Sequence, residues 1–163
     1  MEMLNNYGIV LALLGATLVA LIPGMASAKA VSMGGIAGAG VITENPALFG
    51  KVLILQLLPG TQGIYGLLIA FITLSQIGVL GGSSDITFIK GMLYLASCMP
   101  MIIVGYTSAI RQAKASVASI GVVAKRPDQF GKAMIFPAMV ETYAILALLI
   151  SMLAINGVSG LNI

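Results

Sequence analysis

The chain has 163 residues, of which 59% are hydrophobic and 8% charged, with a formal net charge of +3. A soluble globular domain carries charge on about 25% of its residues, so water is not the main solvent of this chain. With no His and five acidic residues, the inventory excludes a Ser-His-Asp site and a transition-metal cage, and the few scattered basic residues form no nucleic-acid-binding patch.

A helix rises about 1.5 Å per residue, so about 20 apolar residues are needed to cross a hydrocarbon core. Four uncharged runs meet that length, at 8–28, 52–80, 91–110 and 133–158. Their Leu, Ile, Ala and Met lack the short alternation of barrel strands, and lipid leaves helices as the other way to satisfy the backbone. The expected fold is therefore all-α, with four transmembrane helices.

The first run ends in Ala26-Ser27-Ala28, which looks like a signal-peptide cleavage site. The segment before it offers Glu2 and no Lys or Arg, so the run is read as a retained membrane helix. Glycines crowd the first and third helices, and the Gly34–Gly38 spacing lets helix backbones approach closely. The glycine-rich stretch 34–40 follows no strand and is not a nucleotide loop. The second run contains Pro59, Gly60, Thr61, Gln62 and Tyr65; the third holds Cys98, a small apolar filler with no partner for a disulfide; the fourth holds Glu141.

Aligned with itself, the chain repeats at an offset of 81 residues. The segment from Gly40 to Lys51 lies over that from Gly121 to Lys132, and the match extends through Gly24/Gly105 and Ser27/Ser108 on one side and Thr61/Thr142 on the other. Pro46 and Pro127 mark the turns. Each unit is thus an antiparallel hairpin, the first over residues 1–80 and the second over 81–163. Lys29, Lys51, Arg111, Lys114, Lys125, Arg126 and Lys132 belong to the turns or to the helix ends expected beside them, leaving Lys90 on the other side. Both turns are expected to face the cytoplasm, with both termini outside.

Ionisable groups inside a membrane helix mark an ion path by default. Glu141 is the one acidic residue in the four runs, and at nine residues past Lys132 it lies roughly 14 Å deep, near the middle of a ~30 Å core. Gln112 and Glu141 are equidistant from the Arg126-Pro127 junction, so an antiparallel hairpin sets them at one depth. The repeat offset puts Gly60 at that same level, beside Thr61 and Gln62. A carboxylate, two amides and a hydroxyl therefore converge, a set of oxygens suited to a hard monovalent cation. Tyr65, one turn after Thr61, is placed to donate to the carboxylate. Pro59 cannot donate to the Leu55 carbonyl, which leaves acceptors between Leu55 and Leu58 available without deciding which is used.

The segments Leu55-Gln56-Leu57-Leu58-Pro59-Gly60-Thr61-Gln62-Gly63 and Ala138-Met139-Val140-Glu141-Thr142-Tyr143-Ala144 resemble the proteolipid (K or c) subunits of bacterial V-type ATPases, particularly sodium-transporting ones. The resemblance covers nearly the whole chain. It implies a homo-oligomeric rotor ring in the cell membrane, turning against a membrane stator subunit and bound through its cytoplasmic turns to a central stalk. It also implies Na+ as the transported ion, held by Thr61, Gln62, Gln112, Glu141 and the Leu58 carbonyl, with Tyr65 steadying Glu141. Arg111 is expected to turn about 100° from Gln112 toward the ring interior; an approach to Glu141 would compete with the cation. With Gly60 where a second carboxylate would stand, each chain is expected to carry one ion. A proton-carrying rotor and a passive four-helix pore are the rival readings; full coordination traps an ion for carriage, whereas conduction needs weak sites.

Overall fold

The computed structural model describes residues 7–82 and 86–161, and within them every regular element is helical. Glu2 lies outside the described residues. Helix α1 spans Gly8–Glu44, α2 Phe49–Leu57, α3 Thr61–Gln76, α4 Phe88–Lys125 and α5 Phe130–Ser159. Short 3-10 turns at Pro46–Leu48, Leu58–Gly60 and Pro127–Gln129 join α1 to α2, α2 to α3 and α4 to α5. The α2–α3 pair forms one continuous span, so four spans are long and apolar enough to cross a bilayer. The chain is a membrane protein of two antiparallel helical hairpins.

Local chemistry accounts for the turns. Asn45 accepts the Ala47 N–H at 3.2 Å on its side chain, and Pro46 has no N–H to leave unpaired. Arg126, held at φ −138° ahead of Pro127, leaves the helical region as a residue before proline does. The Lys51 ammonium then ties the two turns together by donating to the Pro127 carbonyl at 2.8 Å.

The helices outrun the apolar runs that announce them. With 37 residues α1 is about 55 Å long at about 1.5 Å per residue, far more than a ~30 Å core, so its turn-side end projects from the membrane. Ala, Ser, Val and Lys sustain a helix in water as well as in lipid, which is why the run boundaries at 28 and 110 do not end α1 or α4. In consequence Lys29, Arg111 and Lys114 lie on exposed faces inside long helices, and not at helix ends beside the turns. The second span stops at Gln76, ahead of the expected end at 80, because the chain turns through Gly78 at φ 78°. Lys90, alone at this end, donates to the Ser159 carbonyl at the end of α5 at 3.5 Å and to the Leu161 carbonyl just past it at 3.0 Å.

α1 and α4 lie side by side with the most extensive contact in the chain, while α3 packs on α1 and α5 on α4. Close approach depends on glycine. A Cβ at Gly105 would come within 3.1 Å of Pro23 Cγ, and one at Gly38 within 2.5 Å of Val52 Cγ1. Gly38 thus seats α1 on α2, so this part of the small-residue pattern serves packing inside the chain. Pro137 deprives the Ala133 carbonyl of its helical donor, and Ser119 Oγ supplies a replacement at 2.8 Å. The outward faces of α3 and α5 are strongly apolar, with Ile64, Phe71, Phe136 and Leu153 all exposed.

Candidate functional site

Where α3, α4 and α5 meet, Tyr65, Gln112 and Gln62 are linked by hydrogen bonds to Glu141. The Tyr65 hydroxyl donates to Glu141 Oε1 at 2.6 Å, and Gln112 Nε2 donates to Glu141 Oε2 at 3.4 Å. Gln62 Nε2 in turn donates to Gln112 Oε1 and, at 3.4 Å, to Ser108 Oγ. The Ser108 hydroxyl donates to the Val140 carbonyl at 3.1 Å. Gln62 and Gln112 are both fully buried, whereas Glu141 is partly exposed.

The direction of this chain follows from the carboxylate. Glu141 accepts hydrogen bonds, so Gln112 must present its NH2 to it and keep its carbonyl for Gln62. Gln62 therefore spends its own NH2 on Gln112, and its carbonyl oxygen is left over. That atom, Gln62 Oε1, is buried and has no hydrogen-bond partner. An unpaired buried carbonyl costs about 1–3 kcal/mol, and a cation is the complement that an acceptor without a donor can take.

The break between α2 and α3 lies at the same place. Pro59 is buried and opens the 3-10 turn whose Thr61 N–H returns to the Leu58 carbonyl. The Thr61 hydroxyl donates to that carbonyl as well, at 3.1 Å. Donation uses the hydroxyl hydrogen and leaves lone pairs on Thr61, while the Leu58 carbonyl takes two donors from Thr61. These hydrogen bonds join Thr61 to Leu58 and not to Glu141. Gly60 faces α1, where its Cβ position lies 3.2 Å from Val31 Cγ2. Leu55, the first carbonyl that the proline argument indicated, belongs to a fully buried residue in the cluster of Leu48, Val52 and Ile120.

Arg111 is exposed beside buried Gln112, as a turn of about 100° per residue requires. Among the described residues the one salt bridge joins Arg126 to Asp128, so no ion pair links Arg111 to Glu141. Sequence reasoning overlooked the roles of Ser108 and Ser27. Ser108 supports Gln62, and Ser27 Oγ accepts the Gly63 N–H at 2.9 Å next to Gln62. The signal for both was present, since the two serines occupy equivalent positions of the repeat.

A duplicated membrane hairpin with a phenol and two amides hydrogen-bonded in a chain to one carboxylate is the class of protein that the fold and site define. Residues 14–73 and 95–154 each match the family of the ATP synthase C-subunit, and the two matches stand apart by the repeat offset. The V-type sodium ATPase subunit K of Enterococcus hirae is 43% identical over 151 residues, covering 93% of this chain and 94% of that protein. The A-type ATP synthase subunit K of Methanocaldococcus jannaschii is 38% identical over 150 residues, covering 92% of this chain and 64% of that protein. The chain belongs to the ATP synthase C-subunit family.

Proposed function

We propose that this chain is the ion-carrying subunit of the rotor ring of a V-type ATPase and that it moves sodium across the membrane by reversible binding at Glu141. The observation that carries the reading is the orphaned Gln62 Oε1, a buried acceptor on a side chain that is linked through Gln112 to Glu141 and that neighbours Thr61 in sequence. Sodium shed of its water needs such oxygens in place of the hydration shell. A proton needs little beyond the carboxylate. The similarity to a protein named as a sodium ATPase subunit supports the same choice.

The reading gives each residue a task. Glu141 supplies the charge, Thr61, Gln62 and the Leu58 carbonyl supply neutral ligands, and Tyr65 holds one carboxylate oxygen in place. Gln112 turns its NH2 toward Glu141, so its amide must turn over before its own oxygen can join the set. Pro59 and Gly60 shape the break that exposes the backbone. The two units, 1–80 and 81–163, act together because Gln62 comes from one and Glu141 from the other. The subunit itself is non-catalytic. Its ring runs against a membrane stator subunit, and its turns at Pro46 and Pro127 meet the central stalk on the cytoplasmic side, with both termini outside. Seven of the eight Lys and Arg residues fall in the turn-side half of the hairpins, which supports that orientation.

A carboxyl-directed carbodiimide tests the cargo. The reagent attacks protonated Glu141, and sodium competes with the proton for the same oxygens, so sodium at fixed pH should slow the labelling of intact rings. Labelling that responds to pH but is indifferent to sodium over a wide range would replace sodium with the proton.

A further inference from the structure

The Ser108 hydroxyl has one hydrogen and spends it on the Val140 carbonyl, a backbone atom inside α5, at 3.1 Å. Toward Gln62 the Ser108 oxygen is therefore an acceptor only. It receives Gln62 Nε2 at 3.4 Å, and Gln112, one turn further along the same face of α4, offers its carbonyl to that same nitrogen. An amide NH2 has two hydrogens, so these two acceptors use both. Ser108 is 4% exposed and the two amides are 0% exposed, so the count has no slack. A reversed Gln62 would set its carbonyl against two other oxygens and leave it an unpaired buried acceptor facing acceptors.

We propose that Ser108 is the positioning residue that decides which end of the Gln62 amide meets the ion. The inference rests on the sodium reading and gives a task to a residue that is not itself among the ligands. Gln112 cannot do this alone, because in the ion-carrying state its amide turns over to offer its own oxygen, and its NH2 then faces Gln62. A donor there invites Gln62 to reverse. The reversal would spend Gln62 Oε1 on Gln112 and aim an NH2 group at the cation, whereas Ser108, still committed to Val140, continues to require a donor from Gln62. Ser108 thus holds the amide through both states. The first hairpin supports this use of the position, since Ser27, the repeat equivalent of Ser108, is also an acceptor and takes the Gly63 N–H at 2.9 Å. Two repeat-related serines therefore bracket Gln62, one at its backbone neighbour and one at its side chain. The consequence is selectivity: a bare cation needs the Gln62 oxygen, and a proton on Glu141 does not, so Ser108 favours sodium over the proton.

The test uses intact rings in membranes and reads how well sodium chloride protects Glu141 from a carboxyl-directed carbodiimide. Ser108→Ala should raise the half-saturating sodium concentration roughly 3- to 20-fold, the range of a hydrogen bond between membrane helices. Sodium-free labelling should keep its pH profile, because Tyr65 and Gln112 still hold Glu141. Ser119→Ala removes another buried serine hydrogen bond between α4 and α5 and should leave sodium protection unchanged, which separates lost positioning from loosened packing. In rings carrying Gln62→Leu, where protection is already weakened, adding Ser108→Ala should weaken it no further. Native protection in Ser108→Ala, equal weakening in Ser119→Ala, or a full additional loss in the double variant would overturn the proposal. Wild-type rings that sodium fails to protect at all would instead remove the sodium reading, and this role with it.

Discussion

The two hairpins share a backbone plan and part company at one level of the membrane. The second carries Glu141, Gln112 and Ser108, and the first carries Gly60, Val31 and Ser27 at the same repeat positions. Where the first has Gln62, the second has Tyr143. At this level the first hairpin has no charge and one amide, and that amide reaches across to Gln112, which donates to the carboxylate of the second. The asymmetry leaves one carboxylate whose hydrogen-bond chain is shared by the two hairpins.

The largest test of this asymmetry removes the remaining carboxylate. Glu141→Gln should reduce ATP-driven sodium transport to background while rings still assemble, because shape is kept and charge is lost. Adding Gly60→Glu to that variant should restore nothing, since the transposed site would find Val31 and Tyr143 where Gln112 and Gln62 serve the native one. Transport assays in reconstituted vesicles read both, and recovery in the double variant would mean that the hairpins are interchangeable.

A smaller effect is expected from the neutral ligands. Gln112→Leu removes both the hydrogen bond to Glu141 and an oxygen from the set, a loss of about 1–3 kcal/mol that corresponds to roughly 5- to 150-fold in sodium affinity. Half-saturation for sodium in the carbodiimide protection assay checks it. An unchanged value would remove Gln112 from the site and leave the first hairpin's Gln62 as the only amide involved.

The smallest effect probes the hairpins' different prolines. Ser119→Ala takes away the donor that Pro137 makes necessary at the Ala133 carbonyl. Buried side-chain hydrogen bonds in membrane proteins average about 0.6 kcal/mol, so ring stability should fall by about that much with sodium affinity unaltered. Thermal dissociation of detergent-solubilised rings measures the loss.

Much of this molecule is legible in one dimension. Four apolar runs, an 81-residue repeat and a single intramembrane acid are features of the sequence itself, and the antiparallel hairpin turns sequence separation into depth. That is why Gln112, Gly60, Thr61 and Gln62 could be expected at the level of Glu141, with Tyr65 one turn on, without a structure. Helix length was not legible, because apolarity reports where lipid is and not where a helix ends; α1 and α4 continue well past the apolar runs, to Glu44 and Lys125. Side-chain direction was not legible either. Only packing decided that Arg111 faces outward beside a buried Gln112, that Ser119 answers Pro137, and that the order of donors starting from Glu141 leaves Gln62 Oε1 unpaired, since each depends on which atoms meet across helices far apart in the chain.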